Sequence, residues 1–429
     1  MNTTFNTEKH RIVFYSDCPF FGGCENVLVN IFNCKAITDQ YEIYFFYRYR
    51  KKYQEGLEKK LNQTAVKLRP LKLYPEYSDA ECRITSGLAG KLLKKTISFL
   101  ERSNFFMLVN IRIIASAFRE IGEIDLLHIN NGGYPAALSC LSAVFAGKMA
   151  GAKKILFHVN NLASPYDPLF SVIQKYVDQR IVKIVDYFIT GSIATGNYLA
   201  EKRKFPRKKI LNIYNAIPRP FESSQIEEYK NFIRQEFNVS GEKTIIGSIG
   251  KLEWNKGFDV LIEAVRILET RNYKDIILFI FGEGSDKDAL ERTIVENFLE
   301  DKIKLPGYKY NILKYLCGID MFVLPSLWYE DCPYVIIEAM ALEKPVIATK
   351  IAGIPEQIDH SVNGFLVDPD DPEAIADHLE ILIKDQVAAR KMGLEGLRKF
   401  YSMYKYEVVM KRYIELYTRL IKREESNET

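Results

Sequence analysis

From residue 11 onward the chain alternates short β-rich apolar runs with segments of helix length, a pattern that restricts it to the α/β class with parallel sheets. Strand-like runs fall at 11–16, 41–49, 64–73, 125–130, 153–159, 186–192 and 209–215. The stretch NAIPRPFESSQ (215–225), with two prolines among polar residues, interrupts the alternation and reads as a linker. A second series follows at 244–250, 275–281, 302–307, 320–326, 345–349 and 364–369. The chain, 429 residues with 47% hydrophobic content, is long enough for two cores. The expected architecture is two tandem doubly wound, Rossmann-like domains, 1–218 and 219–403, facing across a cleft. The segment 404–429, apolar at helical spacing and with no preceding strand, is expected to be a C-terminal helix crossing back to the first domain.

Open parallel sheets bind ligands beyond the carboxyl ends of their strands, so the strand-to-helix loops are where chemistry is expected. Residues 1–218 carry 31 Lys+Arg against 18 Asp+Glu, a net +13, whereas 219–429 carry 28 against 37, a net −9. The basic half suits an anionic partner such as a membrane surface or a phosphorylated lipid. No nucleic acid partner is expected, because the basic residues are dispersed and Tyr and Phe follow strand and helix patterns instead of an interleaved stacking motif. The segment 91–120 places Leu92, Leu93, Thr96, Phe99 and Leu100 near one face beside Lys91, Lys94 and Lys95. Two readings stay open for it: an amphipathic basic helix in peripheral membrane contact, or a helix buried on the sheet with a solvated lysine edge.

Seven cysteines (Cys18, Cys24, Cys34, Cys82, Cys140, Cys317, Cys332) show neither CxxC nor metal-site spacing. No disulfide framework or zinc site is expected, and a cytoplasmic setting, at the inner face of a membrane under the first reading, fits best. The start of the chain lacks the charged and apolar segments of a secretory signal, and the apolar run 105–118 is short and contains Arg112.

The segment PSLWYEDCPYVIIEAMALEKPVIAT (325–349) reads as strand, loop, helix from about Pro333 and strand, with seven residues between Glu330 and Glu338. Proline suits the first helical position, which places Glu338 in the second turn. A carboxylate there can accept from two adjacent ribose hydroxyls, and Glu330 at the loop can hold sugar hydroxyls. Backbone N–H groups around Asp331, Cys332 and Tyr334 favour anionic or polar ligand oxygens. Upstream, GSIGKLEWNKGFDVLIEA (247–264) ends a strand at Gly250 and presents Lys251, Lys256 and Gly257 before a helix. In FIFGEGSDKDAL (279–290) and KLPGYKYNILKYL (304–316), Gly282, Gly284 and Gly307 permit close backbone approach. A dinucleotide fingerprint is incomplete, because Lys287 stands at its third glycine position. The DxD strings Asp286/Asp288 and Asp368/Asp370 are expected to serve as caps and not as metal ligands.

Glu-x7-Glu followed by AMALEKPVIAT is similar to family 4 glycosyltransferases, retaining enzymes of the GT-B fold, and the resemblance runs from about Gly247 to Pro369. It implies that Lys251 and Lys256 sit on the diphosphate of a nucleotide-sugar donor (a UDP- or GDP-sugar) in place of a metal. It also implies that the loop holding Tyr308 lies beside the nucleobase. Lysine at 251, where the family often has arginine, keeps the charge and loses bidentate geometry. In the first half, DCPFFGGCENVLVNIF (17–32) sets Gly22 and Gly23 at a turn before a helix with Glu25 in its first turn, and resembles the family's GGxE loop. DLLHINNGGYP (125–135) and KKILFHVNN (153–161) resemble its acceptor-side loops, with His128, Asn130, Asn131, His158, Asn160 and Asn161 at strand ends. Where relatives often show His-x-His, this chain has Asn130 and Asn160, which orient a hydroxyl but cannot take its proton.

The expected function is metal-independent, cofactor-free transfer of a sugar, with retention, to the hydroxyl of a glycan or lipid-linked acceptor in polysaccharide or lipid-linked glycan synthesis. Lys251, Lys256, Glu330 and His128 are the candidates for catalysis. Donor-binding candidates are Gly22, Gly23, Gly250, Gly282, Gly307, Tyr308, Asp331, Cys332, Pro333, Tyr334 and Glu338. Acceptor-binding candidates are Glu25, Asn130, Asn131, His158 and Asn160. The rivals are an epimerase or hydrolase that consumes donor without an acceptor, and a nucleotide-sugar-binding protein without turnover.

Overall fold

The computed structural model describes residues 9–19, 21–62, 65–74 and 105–425. The chain divides into two compact units, Met1–Ile213 with Met410–Thr429, and Tyr214–Val409. In the first, β1 (Arg11–Ser16), β2 (Glu42–Arg48), β3 (Val66–Leu71), β4 (Leu126–Asn131), β5 (Lys154–Val159), β6 (Tyr187–Thr190) and β7 (Ile210–Asn212) form a parallel sheet in the order β3-β2-β1-β4-β5-β6-β7. In the second, β8 (Thr244–Ile249), β9 (Ile276–Phe281), β10 (Ile303–Gly307), β11 (Met321–Leu324), β12 (Val346–Thr349) and β13 (Gly364–Val367) form another, ordered β10-β9-β8-β11-β12-β13.

Every strand-like run read from the sequence is a strand. The runs are apolar without alternation because helices cover both faces of a parallel sheet: all six residues of β9, IILFIF, are buried. Strand order reverses between β1 and β4 and between β8 and β11. Loops leaving such neighbours diverge to opposite faces and open a crevice at the carboxyl edge, so each unit has one built-in ligand position.

Helices meet the sheets through apolar stripes. Phe258–Thr270 buries Phe258, Leu261, Ile262, Val265 and Leu268, each worth roughly 2 kcal/mol of transfer free energy. Pro372–Lys384 starts with proline inside its first turn and with Asp371 Oδ1 accepting from Ala374 N at 2.9 Å. The DxD capping expectation thus shifts by one residue. Asp370 adopts φ +61° in the preceding turn and Asp368 pairs with Lys350 at 3.3 Å. Asp286 precedes the helix Lys287–Glu296 without capping it, and accepts instead from Ser285 Oγ at 2.9 Å.

The helix Tyr406–Glu425 buries Val409, Met410, Tyr413, Leu416, Tyr417, Leu420 and Ile421, at steps of three and four, and from Met410 onward its residues belong to the first unit. The helix Phe105–Arg119 covers the end of the 91–120 segment. Its basic stretch, with Lys91, Lys94 and Lys95, lies outside the described residues. No described helix is long and apolar enough to cross a membrane.

Candidate functional site

The reversal point of the second sheet collects the polar residues expected there. Lys256, in the short turn after β8, pairs through Nζ with Glu330 Oε1 in the loop after β11. The same carboxylate oxygen accepts from Ser326 Oγ at 2.9 Å. Gly353 N donates to the Glu330 carbonyl at 3.0 Å, tying this loop to the one after β12. The two side chains stay 23% and 15% exposed, within reach of a ligand. Lys251 is 60% exposed and pairs with Glu253. The two cations expected for a diphosphate therefore each carry a carboxylate partner, and neither presents a bare charge.

The glycines here stand where backbone approaches backbone. Gly257 holds φ +65°, and an added Cβ would lie 2.1 Å from the Pro325 carbonyl oxygen. At Gly282, φ +152°, it would lie 1.8 Å from the Gly250 oxygen, and at Gly284 2.1 Å from the Leu252 oxygen. The loops after β8 and β9 pack backbone on backbone, so close approach serves loop against loop. Gly307, φ +76°, ends β10, and the following Tyr308 is 71% exposed.

The helix Tyr334–Ala341 begins one residue later than the sequence suggested, because Pro333 keeps extended backbone (φ −61°, ψ 124°) and takes the capping position. Glu338 stands in the second turn, half-buried. Asp331 and Cys332 are buried. Burial pushes the Cys332 thiol up, and its carbonyl accepts from Asn215 Nδ2 at 2.7 Å, so Cys332 holds the loop and offers no side chain to a ligand.

In the first unit Gly22 precedes the helix Gly23–Phe32, and Gly23 is exposed with nothing within 4 Å of an added Cβ. Glu25 is 1% exposed and accepts from Ser16 Oγ, Tyr53 OH and Asn130 Nδ2, each at 2.8 Å. Burial raises its pKa, and the hydrogen bonds from Ser16 and Tyr53 oppose the shift. Asn160 Nδ2 donates to Asn130 Oδ1 at 2.7 Å, and Asn131 braces the next loop through Pro135 O at 2.7 Å. Glu25, Asn130, Asn131 and Asn160 are thus struts beneath the loops, not groups open to an acceptor.

His128 and His158 are corrected outright. Both rings are 0% exposed, stacked at 5.9 Å, and His128 Nδ1 lies 2.8 Å from Tyr417 OH. Burial drives both pKa values down, His158 to about 3, so both rings are neutral. His128 sits mid-strand, two residues before Asn130, on the face turned toward Phe14 and the C-terminal helix. It cannot meet a substrate there. Strand periodicity contained this signal, since only residues 130 and 131 stand at the end of β4.

Three features escaped sequence reading. Arg48 Nε donates to both Asp17 oxygens at 2.9 and 2.8 Å, and Ser139 Oγ to Asp17 Oδ2 at 2.5 Å, beside a cavity of about 540 Å³. Parallel pairing of β1 with β2 brings these strand ends together. Cys18 and Cys24 place their sulfurs 3.4 Å apart, and both fall near the Glu25 carboxylate. The contact with Cys24 and burial raise the Cys18 thiol, which keeps it protonated, the opposite of what a metal ligand needs. Trp254 and Trp328, 66% and 55% exposed, place their ring centroids 6.3 Å apart at the reversal point of the second sheet.

Residues 229–398 match the family model described as Glycosyl transferases group 1, so the second unit carries a domain of that kind. Over 279 residues the chain is 35% identical to the putative colanic acid biosynthesis glycosyltransferase WcaL of Escherichia coli, covering 62% of each chain. Over 216 residues it is 30% identical to an uncharacterized glycosyltransferase of Methanocaldococcus jannaschii, covering 49% of this chain and 54% of that one. The chain therefore spans about half to two thirds of the length of these relatives. The structure is similar to that of HepE from Anabaena, solved in complex with UDP, with a TM-score of 0.75 at 19% identity over 95% of this chain and 100% of that one. Two parallel-sheet α/β units with such a neighbour define the GT-B fold.

Proposed function

We propose that the chain is a retaining glycosyltransferase that moves a sugar from a UDP- or GDP-sugar to the hydroxyl of a glycan or lipid-linked acceptor, in polysaccharide or lipid-linked glycan synthesis. The observation that carries this reading is the Lys256–Glu330 pair at the reversal point of the second sheet, with Ser326 on the same carboxylate and Glu338 one helix turn beyond. A relative named for colanic acid biosynthesis and a structural neighbour solved with UDP support it.

In this reading Glu330 holds Lys256 in place until the donor arrives, then accepts from sugar hydroxyls while Lys256 turns to the diphosphate. A cation 4 Å from developing phosphate charge is worth about 4 kcal/mol at an effective dielectric near 20. That attraction exists chiefly in the transition state, where the glycosidic bond breaks, and so lowers the barrier. Glu338 accepts from the ribose hydroxyls. No described side chain at this edge serves as a proton-accepting histidine, so the proton of the acceptor hydroxyl passes to the leaving phosphate on the same face. That path retains the anomeric configuration.

The test pairs calorimetric titration of UDP and GDP with an assay of sugar transfer. The expected result is binding of one nucleotide, weakened about tenfold or more in Glu338→Ala through loss of the charged ribose contact. Undiminished nucleotide affinity in Glu338→Ala would remove Glu338 from the site, and donor consumption that yields only epimerised or hydrolysed sugar would replace transfer with the rival chemistry.

A further inference from the structure

The chain contains only two tryptophans. They lie 74 positions apart in sequence, yet the fold brings them side by side, both mostly exposed. Each ring is a large apolar surface left in water. Exposed apolar surface gathered at a ligand-binding edge marks something that covers it.

We propose that Trp254 and Trp328 form a stacking platform for the saccharide ring of the acceptor, which rests on the assignment of the neighbouring Lys256–Glu330 site to a sugar donor. The pair is rigidly mounted. Leu327 N and Trp328 N both donate to the Asn255 carbonyl, at 2.9 and 3.2 Å, locking the loop after β11 to the turn that holds Trp254. The ring planes are inclined by 52°, so they do not stack on each other and leave faces open. Lys256 and Glu330 lie within two residues of the two tryptophans in sequence, so anything on the platform adjoins the reacting sugar.

Chemistry selects the occupant. One face of a pyranose presents aliphatic C–H groups with slight positive character, which suits the negative face of an indole, while the ring's hydroxyls remain free for polar partners. A nucleobase fits less well, because the platform sits at β8 and β11 while the loop assigned to the base follows β10, two strands from β8 and three from β11. An anionic membrane fits less well too, because residues 219–429 carry a net −9.

Since the chain has no other tryptophan, its intrinsic emission reports on this platform alone. The experiment titrates the full chain with UDP or GDP, then with glucose, galactose, N-acetylglucosamine and their disaccharides, and separately with phosphatidylglycerol vesicles. Wild type is compared with Trp254→Phe, Trp328→Phe and the two alanine variants. The expected result is a saccharide-dependent change in emission that persists with nucleotide bound, and about a tenfold higher acceptor KM in each alanine variant, equivalent to about 1.4 kcal/mol. The donor KM should stay within about twofold and the phenylalanine variants should recover part of the loss. An emission change with nucleotide or vesicles but with no saccharide overturns the platform. So does an unchanged acceptor KM in both alanine variants. Nucleotide binding by calorimetry without any saccharide response removes the platform and leaves the donor site. A saccharide response without nucleotide binding keeps the platform and removes the donor reading.

Discussion

Glu25, in the helix after β1, and Glu330, in the loop after β11, both lie beyond the carboxyl edge of a parallel sheet beside the point where strand order reverses, and they are held in opposite ways. Glu25 is sealed among neutral donors from Ser16, Tyr53 and Asn130. Glu330 keeps partial exposure and is held by the ammonium of Lys256. A carboxylate enclosed by fixed hydroxyls and amides is a joint, because releasing it leaves buried donors unsatisfied. One held by a flexible, partly solvated lysine can exchange that partner for a ligand at small cost. The same kind of side chain thus braces the fold in one unit and stays partly exposed beside a lysine in the other.

The contrast is broken most directly at the second unit. Lys256→Ala and Glu330→Ala should each lower sugar transfer by about a hundredfold or more, while the denaturation midpoint moves by no more than about 2 kcal/mol in unfolding free energy. Loss of folding in step with loss of activity would make Glu330 a joint like Glu25. At the first unit the pattern should invert. Glu25→Ala, which strands three buried donors, should cost about 3 kcal/mol of stability in urea melts. If it lowers activity without a stability change, Glu25 belongs to the site and not to its support.

A smaller effect concerns the histidines beneath the same loops. His158 is neutral when folded, with its pKa driven down to about 3, and takes a proton near 6.5 when unfolded. Unfolding therefore takes up a proton below about pH 6.5, so stability falls as pH drops from 6.5 toward 3 and is unaffected above that window. At pH 5 His158 alone should account for about 2 kcal/mol of that loss. Glu25 acts in the other sense: its raised pKa adds stability in acid that fades as pH rises. His158→Phe should flatten the decline between pH 7 and 5, measured as unfolding free energy. An unchanged slope would mean that the ring is reached by solvent and is charged in the folded state.

Most of the thirteen strands were legible because a parallel sheet covered on both faces demands continuous apolar runs, as in β9, and a run of this kind is a property of consecutive residues; the edge strand β3, VKLRPL, is the exception. The loops that carry Lys256 and Glu330 could be placed for the same reason, since they lie between a strand and the next helix. The misreadings share a different cause. His128 and His158 looked like strand-end groups, but which face and which depth a strand residue occupies depends on where the pairing stops and on what covers it, here Tyr413 and Tyr417 from the far end of the chain. Gly282 and Gly284 read as places of close backbone approach, and the atoms that approach them are the carbonyls of Gly250 and Leu252 on a neighbouring loop.

By itself, then, the order of residues determined the class of fold, the number of strands, the reversal of charge between the halves and the position of the strand-to-helix loops, because these follow from local periodicity and composition. Tertiary structure decided which of the candidate groups stay exposed and which brace the loops, that Lys256 lies on Glu330, and that two tryptophans 74 residues apart meet. Those are pairings between distant segments, set by strand order and helix cover, and no window along the chain contains both members.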